Sequence, residues 1–168
     1  MKTRSMFVSN SSSSSFIVAL DKEYNSEDMN QKLFDGNKSI KGYYSDGFMS
    51  VESLMAYVDA AFNKDGAKII TFEQFCEAYS LKYNTGPDMN DFESSNPNHR
   101  YYDWDAYNNA VDEFKAKECD KIWPKYKESA KNGLLYNIGF GDDDQIGCEL
   151  EHNTDWCGMF NGIGFSHH

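Results

Sequence analysis

The sequence has no apolar run long enough to cross a membrane as a helix. Such a helix needs about 18 consecutive apolar residues, and no stretch of the 168 residues supplies them. The first 15 residues, MKTRSMFVSNSSSSS, hold two basic residues but not the apolar stretch of a secretory signal. We therefore expect a cytoplasmic protein with no membrane partner.

Basic residues are also scarce. Lys and Arg number 16 against 27 Asp and Glu, which gives a formal net charge of -11. Proteins that bind nucleic acid directly need clustered Lys and Arg to neutralise phosphates. The charge therefore argues against direct nucleic-acid binding and favours a basic partner.

Familiar catalytic motifs are missing as well. The chain contains no GxSxG, no P-loop and no GxGxxG, and its two internal histidines, His99 and His152, lie in no recognisable local motif. A catalytic triad is assembled in space, so an enzyme stays an alternative, with a site near the serine run and the late hairpin described below. The four cysteines show no framework spacing, and we expect reduced thiols and no cofactor.

Aromatic residues, in contrast, are abundant and make up 15% of the chain. Large aromatic side chains can bury enough area for a proper core in a chain of this length. We predict a single domain over residues 1–168, with a flexible lead-in at residues 1–14 and a long loop at residues 84–102.

Alternation of apolar and polar residues predicts a small antiparallel sheet. Phe16, Val18 and Leu20 share one face of a strand that begins about Ser15. Residues 134–140 also alternate, and Ile146, Cys148 and Leu150 continue with a period of two after an acidic turn. We predict a late β-hairpin whose apolar face packs on the core and whose glutamates, Glu149 and Glu151, face water.

Helical spacing predicts about three helices that cover this sheet. Ser50 caps the first, whose stripe is Val51, Leu54, Met55, Val58 and Phe62, and Thr71 with Gln74 forms the capping box of the second. The third runs from Asp103 to Gly133, with a kink or break at Pro124. The predicted fold class is α+β: the N-terminal strand and the late hairpin form the sheet, and the helices pack against it.

The serine run, Ser11, Ser12, Ser13, Ser14 and Ser15, stands at the start of the first strand. It is either a hydroxyl-rich lead-in or a cluster that contacts a ligand or carries a modification. The stretch FVSNSSSSSFIV, residues 7–18, resembles an N-terminal signature of small uncharacterised proteins of bacteriophages and some bacteria. Asp142-Asp143-Asp144, Gly147 and Leu150-Glu151-His152 look similar to a later segment of those proteins. The resemblance implies a phage origin and brings no activity with it.

Two groups of residues contain side chains that can bind metal ions, an acidic turn and a set of cysteines and histidines. Aligned on an EF-hand loop, the acidic turn places Ile146 at position 5 and Asn153 at position 12, where a bidentate glutamate is needed. Cys148, His152 and Cys157 with a terminal histidine do not have the spacing of a zinc motif. We predict no metal site.

Aromatic residues in predicted loops are the best functional clue, because loops carry function and aromatic anchors are enriched in interfaces. They occur at positions 43–48, 99–104 and 156–165. We predict a non-catalytic protein that binds a host protein. An alternative is an inhibitor that mimics nucleic acid and occupies a DNA-binding host protein. The candidate binding residues are Ser11, Ser12, Ser13, Ser14, Ser15, Tyr101, Tyr102, Trp104, Asp142, Asp143, Asp144 and Trp156.

Overall fold

The computed structural model of the chain describes residues 13–42, 47–82, 85–93, 102–141 and 144–166. The elements in chain order are β1 (Ser13–Ala19), α1 (Ser26–Phe34), β2 (Ser39–Lys41), β3 (Phe48–Ser50), α2 (Val51–Asn63), α3 (Phe72–Ala78), a 3₁₀ helix (Met89–Phe92), α4 (Trp104–Lys131), β4 (Leu135–Gly141), α5 (Gln145–His152), α6 (Trp156–Met159) and β5 (Ile163–Ser166). The α+β fold class predicted from the sequence is confirmed.

Strand β1 is the centre of a three-stranded antiparallel sheet of order β4-β1-β5. Its register with β4 runs from Ser13 opposite Gly141 to Ala19 opposite Leu135. Strands β2 and β3 form a separate two-stranded sheet. The serine run and the end of the late strand are therefore neighbours, although more than 120 residues of chain separate them.

Both faces of the three-stranded sheet are buried, so successive residues of β1 enter different cores. Phe16 and Val18 pack with residues of α1, α2, α5 and α6. Ile17, between them, packs with residues of α3 and α4. The prediction of one buried face and one solvated face for the late strand is wrong, since Leu135 and Tyr136 are both buried. The alternation came from the different polarity of its two faces, and both faces are covered by helices.

The predicted helices α2 and α3 are confirmed in their positions and in their contacts. All five residues of the predicted α2 stripe are buried, and Thr71 and Gln74 form the capping box of α3. Ser50 is the N-cap residue of α2, but its side chain makes no capping hydrogen bond.

Helix α4 continues through Pro124, so of the kink or break predicted there, the break is wrong. Cys119 lies before the proline, and Tyr126 and Ala130 lie after it, and all three are buried in the same core. Pro124 itself is exposed. Core packing on both sides of the proline holds the helix together where the loss of one backbone donor would favour a break.

The second strand of the predicted hairpin is a helix instead. Residues 145–152 form α5, capped by Asp144, whose Oδ1 accepts a hydrogen bond from the Gly147 N–H at 2.7 Å. Ile146 and Leu150 are four residues apart, a spacing that fits one face of a helix as well as one face of a strand. The predicted exposure of the glutamates is wrong for the same reason, since Glu149 and Glu151 are buried.

Two further boundaries differ from the prediction. The lead-in predicted for residues 1–14 extends too far, because Ser13 and Ser14 already belong to β1. The predicted loop at residues 84–102 contains the 3₁₀ helix Met89–Phe92, and Glu93 forms an isolated bridge with Tyr102. Residues 1–12 and 94–101 lie outside the described residues.

None of the helices in the described part of the chain combines the length and the apolar character needed to cross a membrane.

Candidate functional site

The end of the sheet brings together two segments that the sequence analysis selected separately. Ser13 pairs with Gly141 and Ser14 with Phe140, and the acidic turn follows Gly141 directly. Asp144 closes that turn as the cap of α5. Of the selected residues in this region, Ser11, Ser12, Asp142 and Asp143 lie outside the described residues.

Ser14 has a structural contact. Its side chain is buried, and its hydroxyl donates a hydrogen bond to Oε1 of Glu151 at 2.7 Å. Oε2 of the same carboxylate lies 3.7 Å from Nε2 of His152. In a nucleophile–base pair the hydroxyl would donate to the histidine, and here it donates to the carboxylate. The contact joins β1 to α5 and does not have the arrangement of a catalytic serine.

Asp144 joins α5 to α2. Its carboxylate accepts hydrogen bonds from the Gly147 N–H and from the hydroxyl of Tyr57. The backbone hydrogen bond from Gly147, followed by the one from Tyr57, lowers the pKa of Asp144 below its ordinary value. The hydrogen bond that the Tyr57 hydroxyl donates to the Asp144 carboxylate also raises the pKa of Tyr57.

A groove of about 550 Å³ lies next to this end of the sheet, between α2 and the outer edge of β4. Its walls are the small residues Ala56, Ala60, Ala61, Gly139 and Gly141, together with Tyr57, Phe140 and Lys64. Sequence reasoning missed Tyr57 and Lys64, because neither belongs to an apolar stripe or to a motif.

A second region, at the start of α4, holds the other selected residues that remain at the surface. Tyr102 and Trp104 have ring centroids 6.1 Å apart, and Trp104 meets Tyr107 edge-on at 6.3 Å. Tyr107 in turn meets Phe92 of the 3₁₀ helix edge-on at 5.6 Å. We call Phe92, Tyr102, Trp104 and Tyr107 the aromatic surface. Tyr101 lies outside the described residues.

Trp104 is the most exposed part of the aromatic surface, with 53% of its residue area accessible. The buried residues of α4 are Cys119, Tyr126 and Ala130, so its first 15 residues include none. Trp104, Tyr107, Val111 and Phe114 share one face of α4 at helical spacing, and this apolar face is therefore only partly covered in the described structure.

The prediction of Trp156 as an exposed binding residue is wrong. Its ring is completely buried, stacked on Phe140 at 5.2 Å and on Phe160 at 5.5 Å, and its indole N–H donates to the carbonyl of Leu150 at 2.7 Å. The indole satisfies its one donor internally and fills the core between α5 and the sheet. Trp156 was predicted to lie in a loop, but it begins the short helix α6 and packs beside α5.

Phe48, in contrast to Trp156, is exposed, with 78% of its residue area accessible. It belongs to strand β3 and not to a loop. Of the other aromatic residues considered, Tyr43, Tyr44 and His99 lie outside the described residues.

No three His, Cys, Asp or Glu side chains converge as metal ligands within the part of the chain that the structure describes. The terminal residues His167 and His168 lie outside it. Cys157 is exposed in part, and Cys148 is half-buried on α5.

The chain matched no protein-family model, no curated protein and no solved structure in the comparisons made with each.

Proposed function

We propose that this protein is a non-catalytic binding protein that uses the aromatic surface to hold a basic host protein. The N-terminal signature that resembles proteins of bacteriophages supports a phage origin and action in the bacterial cytoplasm. The partner is a protein, and neither nucleic acid nor a membrane is contacted directly.

The exposure of Trp104 is the observation that carries this proposal. A tryptophan that leaves half of its area in water has a large apolar area available for a partner, and Trp is strongly enriched among the residues that dominate binding energy. Its neighbours Tyr102 and Tyr107 hold the ring, the first by a tilted contact and the second by an edge contact. A side chain held in this way loses little conformational entropy when a partner covers it.

The charge around Trp104 indicates the kind of partner. Residues 102–114 contain four acidic residues, Asp103, Asp105, Asp112 and Glu113, and no Lys or Arg. The first two flank the tryptophan directly. A local excess of carboxylates, on a chain of net charge -11, steers basic surfaces toward this end of the helix.

The same carboxylates also support a second candidate function, an inhibitor that mimics nucleic acid. A mimic would occupy the phosphate-binding surface of its target, so duplex DNA would compete with it. A partner held mainly through Trp104 would lose affinity on removal of the indole and would not be displaced by DNA. The enzyme alternative receives no support from Ser14, whose hydroxyl is bonded to Glu151.

Capture of a partner from bacterial lysate tests the proposal with a matched pair of variants. Trp104→Ala removes the exposed anchor of the aromatic surface, and Phe48→Ala removes an even more exposed aromatic residue from strand β3. Loss of a binding hot spot costs about 2 kcal/mol or more, which is roughly a 30-fold loss of affinity. We expect a partner that Trp104→Ala loses and Phe48→Ala keeps.

Retention of the same partners by Trp104→Ala, at unchanged affinity, would contradict the proposal. Thermal unfolding of both variants controls for folding, and both should unfold close to the wild-type temperature because neither side chain is buried. Addition of duplex DNA to the captured complex separates the two candidates, since only the mimic's partner would be released.

A further inference from the structure

Helix α3 packs against the middle of α4, and the side chains between them show the relative direction of the two helices. Near the start of α3, Phe72 meets Trp123 edge-on, with ring centroids 5.8 Å apart. At its end, burial raises the pKa of Tyr79, and Glu118 and Cys119 of α4 add to the rise because they lie beside it. A step forward along α3 is thus a step backward along α4, so the two helices run in opposite directions where they touch.

This arrangement brings two cysteines together. Cys76 lies one turn after Phe72 on α3, and Cys119 lies one turn before Trp123 on α4. Residues four positions apart share one face of a helix, so in antiparallel helices the two steps lead to the same place. Both cysteines pack in the same hydrophobic core. Burial, followed by the hydrogen bond that the Cys119 thiol donates to Sγ of Cys76, raises the pKa of Cys119.

The two thiols differ in their access to solvent. Cys119 is completely buried, whereas Cys76 is half-buried and keeps part of its surface in water. A dissolved oxidant therefore reaches Cys76 directly but not Cys119. Accessible cysteines that sense oxidants often lie next to a second thiol, which captures the oxidised sulfur as a disulfide. Cys76 and Cys119 thus have the arrangement of an attacking and a resolving cysteine.

We propose that Cys76 and Cys119 form a reversible disulfide between α3 and α4 when the protein meets hydrogen peroxide. Sγ of Cys76 attacks one peroxide oxygen, the O–O bond breaks, and a sulfenic acid and one molecule of water are formed. Sγ of Cys119 then attacks Sγ of Cys76, and the S–O bond breaks. The displaced hydroxyl group leaves as water with the proton of the Cys119 thiol. The two thiols are oxidised to one disulfide, and the peroxide is reduced to water.

The position of Cys119 gives this crosslink a structural effect. Cys119 is the first buried residue of α4, and the part of the helix before it, which carries the aromatic surface, has none. The disulfide fixes α4 to α3 at the point where the helix leaves the core, and it closes a loop of about 40 residues. In a reducing compartment the pair rests as two thiols, and thiol–disulfide exchange with a cellular dithiol restores them after oxidation.

Limited oxidation of the folded full chain with hydrogen peroxide is the first part of the test. The remaining thiols are then alkylated, and the peptides are mapped by mass spectrometry. We expect a pair of peptides joined through Cys76 and Cys119, which dithiothreitol separates. Cys76→Ser should abolish the pair and leave Cys119 as a thiol that is alkylated only after unfolding. Cys157→Ser is the matched control, since it removes a more exposed thiol and should form the crosslink to the same extent as the wild type.

Thermal unfolding is the second part, because it shows whether the disulfide fits the folded chain. The oxidised protein should melt about 5 °C or more above the reduced protein, since the crosslink restricts the unfolded chain. Cys76→Ser should show no such rise after the same treatment. Oxidation that leaves Cys76 and Cys119 unlinked, or that takes Cys76 to a sulfinic acid instead, would overturn the proposal. A crosslink that lowers the melting temperature would overturn it too, since the two sulfur atoms would then leave their native positions to bond.

Discussion

Ser14 explains part of the serine run in structural terms. Its hydroxyl donates to a carboxylate, Glu151, whose side chain is fully buried. A buried carboxylate oxygen that loses its donor is costly, because no water replaces the hydrogen bond.

We therefore expect Ser14→Ala to lower the free energy of unfolding by about 1–3 kcal/mol. Ser13→Ala is the matched control, since Ser13 precedes it in the same strand and is only half-buried. Urea denaturation of the two variants measures the difference. Equal losses for the two would contradict the structural role of Ser14.

Gly147 allows α5 to lie against the end of β4. A Cβ at this position would stand 1.8 Å from the carbonyl oxygen of Gly141, which is backbone and cannot move aside like a side chain. The glycine is thus required by close approach rather than by its torsion angles.

Gly147→Ala should destabilise the protein by about 3 kcal/mol or more, the upper range for overpacking a site that cannot relax. Gly47→Ala provides the comparison, because a Cβ there meets nothing within 4 Å. Thermal or urea unfolding gives both values, and a Gly147→Ala variant as stable as Gly47→Ala would show that α5 does not approach β4 as described.

At the residue scale, the buried apolar stripes could be predicted from the sequence, but the burial of some polar and aromatic residues outside these stripes could not. Phe16, Val18 and the stripe of α2 follow from periodicity, which local geometry imposes. Glu151 and Trp156 were placed on the surface, yet both are buried. Their burial depends on Ser14 and on the carbonyl of Leu150, partners that only the folded chain brings within reach.

At the scale of elements, α5 shows why a short segment is ambiguous. Ile146 and Leu150 satisfy both periods, so the capping residue decides the outcome. The Asp144 carboxylate accepts a hydrogen bond from the Gly147 N–H, which is an N-cap arrangement. From the sequence, Asp144 was predicted to be part of a hairpin turn. The capping box of α3 was recognised, because Thr71 and Gln74 have side chains of both required types.

The cap makes the stability of the protein dependent on pH. Hydrogen bonds lower the pKa of Asp144 in the folded chain below its ordinary value of 3.8. The unfolded chain therefore takes up this proton first as the pH falls. The stabilisation is fully present above the ordinary pKa and is lost as the pH falls through the lower, folded pKa.

Asp144→Asn keeps a capping oxygen and removes the titration. We expect the wild type to be the more stable of the two at about pH 6, and its advantage to shrink below the ordinary pKa of 3.8. Tyr57→Phe removes the second hydrogen-bond donor to Asp144. In that background, the stability advantage of Asp144 over the Asp144→Asn variant at about pH 6 should be smaller than in the wild type. Unfolding curves that stay a constant distance apart from about pH 6 to pH 2 would contradict this role of Asp144.

At the scale of the whole molecule, composition and patterning predicted the α+β class but not the arrangement of its layers. Strand β5, at the other edge of the sheet, is only four residues long, and the alternation of Ile163 and Phe165 with Gly164 and Ser166 is too short to predict a strand. The central position of β1 depends on pairings with residues more than 110 positions away. Helix α1 was missed because only Met29 and Phe34 of its nine residues are buried.

The candidate surface was partly predictable at this scale. Tyr102 and Trp104 were selected because they stand in an aromatic, acidic segment, and the structure leaves Trp104 exposed on α4. Phe92 and Tyr107 complete the aromatic surface through long-range or helical contacts that composition does not reveal.

Site-specific photo-cross-linking in living bacteria tests the central claim most directly. A photoreactive aromatic residue replaces Trp104 in one variant and Phe48 in another, and mass spectrometry identifies the attached proteins. We expect a discrete adduct with a basic protein from position 104 and none with that protein from position 48. Absence of any adduct from position 104, or the same adducts at equal yield from both positions, would contradict it.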